Sequence, residues 1–107
     1  MVKIVWQKRA NRALDEHVAY ARAEFGKSTA KRWINEITRA EVRIASMPMS
    51  FTSEPLLKGR KHVYRYCHLM NRRFKLIYCY YPTSGVARIV DIWDTRVNPM
   101  TLKRRIK

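Results

Sequence analysis

Apolar residues recur along this chain with two different periods, and each change of period marks the border of an element. Apolar and other side chains alternate over residues 2–6, which is typical of a first β-strand. From Leu14 onward apolar side chains recur every three or four residues, which predicts an amphipathic helix over residues 8–25. Gly26 follows this stripe, and we expect it to end the helix in a left-handed C-cap.

A second helical stripe follows almost at once. Ser28 or Thr29 can cap its start, apolar side chains continue at spacings of three and four as far as Met47, and Pro48 stops the helix. Since only two or three residues separate the two helices, we expect them to fold back on each other as an antiparallel hairpin.

The second half of the chain changes to a β pattern after a loop. Residues 49–61 have no steady period, and we interpret them as a loop that closes on Leu56 and Leu57. β-branched and aromatic residues then dominate three segments, which predicts three strands over residues 62–68, 73–81 and 86–94. The connections between these segments are short enough for hairpins, so we expect an antiparallel meander.

The last predicted element is a short helix. Asn98 offers a cap and Pro99 suits the first helical position, which predicts a helix over residues 99–106. The complete order is β-αα-βββ-α, which belongs to the α+β class, in a single domain over residues 1–107. We expect the first strand to pair at one edge of the meander.

The third strand of this order has two different faces. Phe74 and every second residue as far as Tyr80 are apolar, and we expect this face to form the core against the helices. Lys75, Ile77 and Cys79 share the other face. We expect that face to be open and basic, with Arg65, Arg96 and the C-terminal tail at its border.

The charge of the chain changes its interpretation. The formal net charge is +15, and residues 58–107 hold 13 basic and 2 acidic residues. A field of this size attracts polyanions or an acidic protein partner, so nucleic acid and an acidic peptide are the leading partner classes. The alternative is that these charges only keep the protein in solution.

Other features of the sequence limit the class of protein. No stretch is long and apolar enough to span a membrane, and the N-terminus lacks the apolar run of a signal peptide, so we expect a cytoplasmic protein. Cys67 and Cys79 are too few for a disulfide framework and are predicted to be reduced and partly buried. No Cys/His pair has the spacing of a metal site, and we predict neither a metal nor a cofactor.

Several motifs in this order resemble a known family. They are Trp6, a helix that contains Tyr20 and closes on Phe25-Gly26, a second helix from Ala30 to Met47-Pro48, the strand Phe74-Lys-Leu-Ile-Tyr78, and Ile92-Trp-Asp-Thr-Arg96 followed by Asn98-Pro99. Over nearly the whole chain they resemble the RelE/ParE superfamily of toxins from bacterial type II toxin–antitoxin modules. The resemblance implies a growth inhibitor that is silenced by an antitoxin, whose disordered acidic segment wraps the toxin and folds on it.

The family has two branches with different targets. RelE-like members cut mRNA in the ribosomal A site without a metal, whereas ParE-like members inhibit DNA gyrase and are not nucleases. By the resemblance, the strand arginine of the nuclease branch falls on Lys75, a later arginine on Arg96, and one basic residue of the preceding strand on Arg65. Its neighbour two positions on is Cys67, which cannot hold a phosphate.

Cleavage of mRNA also needs a group that transfers protons. The C-terminal Tyr or His that does so in many nuclease members has no counterpart, and Leu102 occupies the nearest position. His62 or His68 could replace it, since imidazole titrates near neutral pH, although a surface role is the simpler interpretation. We expect His17 to be structural.

Other candidate residues have simpler explanations. We expect Asp91 and Asp94 to pair with neighbouring arginines. Most of the aromatic residues that could stack on bases are explained more simply by packing in the core or on the sheet; these residues are Trp33, Tyr64, Tyr66 and Tyr80.

The long helical hairpin and the missing proton-transfer group favour gyrase over mRNA as the target. A third possibility is a basic nucleic-acid-binding module without toxicity, which would not co-purify with a small acidic protein. For a toxin of either branch, the expected partners are its acidic antitoxin and either gyrase or the ribosome with its mRNA, in a homodimer or a toxin–antitoxin hetero-oligomer. The residues predicted to bind target or antitoxin are Lys58, Arg60, Lys61, Arg65, Arg73, Lys75, Arg96, Lys103, Arg104 and Arg105.

Overall fold

The computed structural model describes residues 2–106. It contains the elements β1 (Lys3–Trp6), α1 (Lys8–Phe25), α2 (Lys27–Ser46), a 3₁₀ turn (Pro55–Leu57), β2 (Tyr64–Leu69), β3 (Phe74–Tyr81), β4 (Val86–Asp94) and α3 (Pro99–Arg105). The order and type of these elements confirm the α+β prediction. None of the described helices is both long and apolar enough to cross a membrane.

The four strands form one mixed sheet in the order β1-β4-β3-β2. The strands β2, β3 and β4 are an antiparallel meander, and β1 pairs parallel with β4 at its edge, as expected. The register places Phe74 opposite Asp94 at one end of β3 and Tyr81 opposite Val86 at the other end. A bulge between Ile77 and Tyr78 shifts the register between these ends.

The link between α1 and α2 is a single residue, Gly26. Its φ of 91° is positive as expected, but its ψ of 178° is extended and not left-handed helical, a conformation that is almost restricted to glycine. Since α2 begins at Lys27, Ser28 and Thr29 lie inside its first turn, and neither side chain caps it. The predicted cap is therefore wrong, because glycine alone makes the link.

A first core fills the space between the helical hairpin and the sheet. Leu76 and Tyr78 of β3 are fully buried there, which confirms the predicted core face. Hydrogen bonds tie the layers together: the Tyr78 hydroxyl donates to the Pro48 carbonyl at 2.6 Å, and Trp6 Nε1 donates to Glu41 at 2.9 Å. This core holds the helices at a fixed position on the sheet.

A second core covers the opposite face of the sheet, so the prediction of an open basic face is wrong. Ile77 is completely buried, and Leu57, Leu102 and Ile106 pack in the same cluster. Leu102 and Ile106 are four positions apart, so both fall on one side of the C-terminal segment. That segment and the 3₁₀ turn together cover the face.

Candidate functional site

A groove lies between the helical hairpin and the end of the sheet where Phe74 faces Asp94. It has a volume of about 850 Å³. Its lining includes exposed aromatic residues, more buried rings and three cations, which are Tyr20 and Phe25, then His17, Trp33 and Phe74, and then Arg32, Arg73 and Arg96. Tyr20 and Phe25 are each 62% exposed. This helix–sheet groove therefore combines exposed aromatic surface with positive charge.

Arg96 is the best-defined cation of the helix–sheet groove. Its Nε and Nη2 donate to the two carboxylate oxygens of Asp94 at 3.1 and 3.0 Å, and its backbone N–H donates to the same group at 2.9 Å. The hydrogen bond from Arg96 lowers the pKa of Asp94. The guanidinium remains exposed to solvent, so its other donors can reach a partner.

His17 lines this groove, although the sequence predicts only a structural role for it. Its ring stacks on Trp33 at 5.5 Å and meets the edge of Phe74 at 4.6 Å between ring centroids. Burial lowers the pKa of His17, which favours the neutral imidazole. This packing agrees with a structural role, and only the fold shows that the same ring lines the groove beside Arg96.

The turn between β2 and β3 has an unusual backbone and borders the groove. Met70, Asn71 and Arg72 have φ values of 51°, 57° and 67° in succession, a conformation that non-glycine residues rarely adopt. Two side chains of α2 hold it. Glu36 accepts from the Met70 backbone N–H at 2.7 Å, and Arg32 donates to the Asn71 side chain at 2.8 Å.

Lys75 lies on the other face of the sheet from the helix–sheet groove. Its ammonium donates to Glu54 at 2.8 Å, and the Glu54 side chain is fully buried. The same ammonium lies 4.1 Å from the ring centroid of Tyr66. Lys75 is thus a partner of the loop before β2, and it does not join Arg96.

Arg65 belongs to a third location. It lies opposite Tyr78 in the β2–β3 ladder and so shares the helix-facing side of the sheet. Its guanidinium donates to the Phe51 carbonyl at 2.7 Å. Cys67 lies on the same side, and burial raises the pKa of its thiol to about 11, so it stays protonated at neutral pH.

The two candidate histidines are also distant from Arg96 or face away from it. His62 packs against Tyr81 at 5.1 Å, at the end of β3 opposite to the groove, which is about 20 Å away by strand geometry. His68 lies opposite Lys75 on the second face. Burial, with Arg72 and Lys75 nearby, lowers the pKa of His68.

The C-terminal basic residues have separate roles. Arg60 donates to the backbone carbonyls of Ile106 and, at 2.8 Å, of Lys103, and so fastens α3. Arg105 pairs with the buried Asp91 at 3.0 Å, which confirms, with the Asp94–Arg96 pair, the predicted pairing of both aspartates. The exposed members of the predicted binding set include Lys58, Lys61, Arg73, Lys103 and Arg104.

These positions correct one expectation. Arg65, Lys75 and Arg96 do not form one anion-binding patch, because the sheet separates Lys75 from Arg65, and Arg96 borders the groove beyond the end of β4. Among residues 2–106, no group of three or more His, Cys, Asp or Glu residues comes together as a metal site. Cys67 and Cys79 are both free and buried.

The fold defined above is that of RelE/ParE-type toxins. A chain of the chromosomal ParDE toxin–antitoxin system from P. aeruginosa superimposes with a TM-score of 0.69 at 15% identity, covering 88% of this chain and 96% of that one. The isolated RelE toxin of E. coli superimposes with a TM-score of 0.62 at 10% identity, covering 97% and 95%. Identities this low show a shared fold alone.

Sequence similarity identifies the family. The family model of the ParE toxin of the type II toxin–antitoxin system parDE matches residues 4–99. No curated protein has significant sequence similarity to the chain. The protein belongs to the ParE toxin family of type II toxin–antitoxin systems, which confirms the resemblance to the RelE/ParE superfamily.

Proposed function

We propose that this toxin inhibits DNA gyrase and does not cleave mRNA. The observation that carries the proposal is the separation of Arg65, Lys75 and Arg96. A nuclease site needs cations that converge on one phosphate to stabilise its developing charge. Here Arg65 donates to a backbone carbonyl, Lys75 donates to Glu54, and Arg96 donates to Asp94.

The shortage of proton-transfer groups supports the same target. Cleavage by a 2′-hydroxyl needs a base and an acid, and such help is typically worth on the order of 10² to 10⁴ in rate. Residues 97–106 hold only Lys and Arg as titratable side chains. Inhibition of gyrase needs no proton transfer, and the exposed basic residues would serve as a docking surface for it.

The helical hairpin gives a further reason to choose gyrase. Its helices have 18 and 20 residues, and the resemblance associates a long hairpin with ParE-like members. We also propose the cytoplasm as the place of action, because both candidate targets act there.

Two assays of the purified toxin test the choice of target. We expect inhibition of supercoiling when gyrase acts on relaxed plasmid, and intact mRNA on programmed ribosomes. The Arg96→Ala variant should inhibit gyrase less while it stays folded. Codon-positioned cleavage of A-site mRNA with supercoiling untouched would reverse the proposal.

One observation favours cleavage of mRNA as the second candidate function. His17 and Arg96 line the same groove, whereas His62 and His68 do not line it. If the toxin were a nuclease, His17→Gln would abolish cleavage, and His62→Gln and His68→Gln would test the two histidines predicted from the sequence. If gyrase is the target, His17→Gln affects inhibition only as far as it affects folding.

We propose that the antitoxin occupies the helix–sheet groove. An acidic segment with apolar side chains would pair with Arg32, Arg73 and Arg96 and cover the exposed rings of Tyr20 and Phe25. Expression of the toxin alone should arrest bacterial growth, and co-expression of the antitoxin should restore it. Normal growth with abundant folded toxin would support the third possibility, a nucleic-acid-binding module without toxicity.

Co-expression also allows the state of assembly to be measured. We propose a toxin–antitoxin hetero-oligomer when both chains are present, with a toxin homodimer as the alternative for the chain alone. The mass in solution is measured for the co-purified complex and for the toxin alone.

A further inference from the structure

A second, smaller pocket lies between the start of α1 and the end of α3. Its volume is about 460 Å³, and it is lined by Arg9, Arg12, Ala13, Glu16 and Arg105. Ala13 is the only apolar residue of this lining among the residues that the structure describes. We refer to this site as the arginine pocket.

Arg105 is fixed in place before any ligand binds. Its Nη2 donates to Asp91 at 3.0 Å, and its guanidinium carbon lies 5.6 Å from the centroid of a Trp93 ring. Asp91 is completely buried and cannot follow the arginine into solvent. The side chain of Arg105 is nevertheless 30% exposed, so the remaining donors of its guanidinium are accessible from the pocket.

Arg9 and Arg12 lie one helical turn apart at the start of α1. Within residues 2–106 neither has a carboxylate within ion-pair distance. The first turn of α1 contains no acidic residue, although the positive end of a helix dipole favours acidic side chains and disfavours cations. Residues that break a local rule in this way are expected at functional sites.

We propose that the arginine pocket binds the phosphate backbone of a nucleic acid. Guanidinium groups match phosphate oxygens with two parallel hydrogen bonds, and three of them line this pocket. Glu16 also lines the pocket, and its carboxylate is the one acidic group of this lining among the described residues. The proposal does not depend on gyrase as the target, because it concerns binding and not inhibition.

The lining explains why nucleic acid fits better than an acidic protein segment. A disordered peptide must bury apolar side chains to offset the conformational entropy that it loses on binding. The helix–sheet groove provides an apolar surface for this purpose. The arginine pocket offers only Ala13 for this purpose. Backbone phosphates need charge and hydrogen bonds alone. The exposed Lys103 and Arg104 of α3 extend the positive surface next to the pocket.

The test compares two variants that lose the same charge. Arg9→Gln/Arg12→Gln removes two cations of the pocket, and Arg22→Gln/Arg39→Gln removes two exposed cations elsewhere on the helical hairpin. Each protein is titrated with a short fluorescent DNA duplex, a single-stranded RNA of the same length and a polyglutamate peptide. The titrations are repeated over a series of salt concentrations, and thermal unfolding of each variant confirms that it is folded.

We expect the pocket variant to bind nucleic acid on the order of tenfold more weakly, with a salt slope lower by about two, one per arginine. The control variant should stay close to wild type in both. Equal losses in the two variants would show a diffuse charge effect and overturn the site. Absence of nucleic-acid binding by the wild type, or selective loss of polyglutamate binding, would overturn it as well. Gyrase inhibition is measured on the same variants, so that a failure of this binding proposal can be distinguished from a failure of the proposed function.

Discussion

Asp94 ends the last strand and Arg96 lies two residues beyond it, and the two form the clearest charged contact of the helix–sheet groove. The carboxylate accepts three hydrogen bonds from this one arginine. Such bonds stabilise the ionised form of Asp94. The pair therefore fixes the direction of the guanidinium that the proposed function needs.

Replacement of Arg96 should be visible in the titration of its partner. We expect Arg96→Gln to raise the pKa of Asp94 toward its ordinary value of 3.8, because the largest cause of the lowered pKa is the hydrogen bond from the Arg96 side chain. The stability that ionised Asp94 contributes is complete above pH 3.8 and is lost as the pH falls through the lower pKa of the folded protein. The Arg96→Gln variant should show a smaller loss of stability over this pH range. NMR titration of the side-chain carboxyl measures the shift.

Arg88→Gln is a matched control for this experiment, since Arg88 is an exposed arginine of the same strand. It should leave the titration of Asp94 unchanged. An Asp94 pKa that is the same in wild type and Arg96→Gln would contradict the contact.

At this scale the sequence predicts residue types better than partners. It indicates that Asp91 and Asp94 pair with arginines, and both do. It gives no sign that Glu54 is the buried partner of Lys75, which is 21 positions away. Contacts of this kind depend on how a loop packs on a sheet, and no local period encodes that packing.

At the scale of elements, α1 and β4 have the predicted bounds because each carries a long, regular pattern. The prediction that is wrong at this scale concerns the second face of the sheet, which was expected to be open and is covered by a core. The apolar residues of α3 are few and close to charged ones, and the 3₁₀ turn has no period. The contact between α3, this turn and β3 joins segments far apart in the chain, so the sequence predicted an open face where the structure has a core.

The second core makes α3 necessary for stability. Leu102 is completely buried in it, and we expect Leu102→Ala to lower the free energy of unfolding by about 3 kcal/mol. Lys103→Gln/Arg104→Gln changes two exposed residues of the same helix and should alter stability by less than about 0.5 kcal/mol. Urea denaturation measures both values.

The same pair of variants separates folding from docking. We expect Lys103→Gln/Arg104→Gln to weaken inhibition while stability is kept. Removal of the whole tail would not make this separation, because it would also uncover the second core. Full inhibition by the charge variant would exclude these two residues from the docking surface.

At the scale of the whole molecule, the burial of two histidines links the stability of the fold to pH. Burial lowers the pKa of His17 and His68 below the ordinary value of 6.5. The unfolded chain therefore takes up protons at a higher pH than the folded protein. The stability that depends on these neutral rings is complete above this value and is lost as the pH falls toward the lower pKa values of the folded state.

We expect the free energy of unfolding to decrease between pH 7 and pH 5.5. The double variant His17→Gln/His68→Gln should be less stable at pH 7, because His17 loses its packing on Trp33 and Phe74, but its stability should depend less on pH. Denaturant unfolding at a series of pH values gives both slopes. A wild-type protein with constant stability over this range would contradict the prediction.

The two cysteines lie on opposite sides of the sheet, since Cys67 packs in the first core and Cys79 lies opposite Tyr64 of the second. A bond between them is impossible without breaking the sheet. Each thiol becomes available to an alkylating reagent only when its own side of the molecule opens. The sequence thus carries two independent reporters of local unfolding, and the order in which they are labelled reveals which side of the sheet opens first.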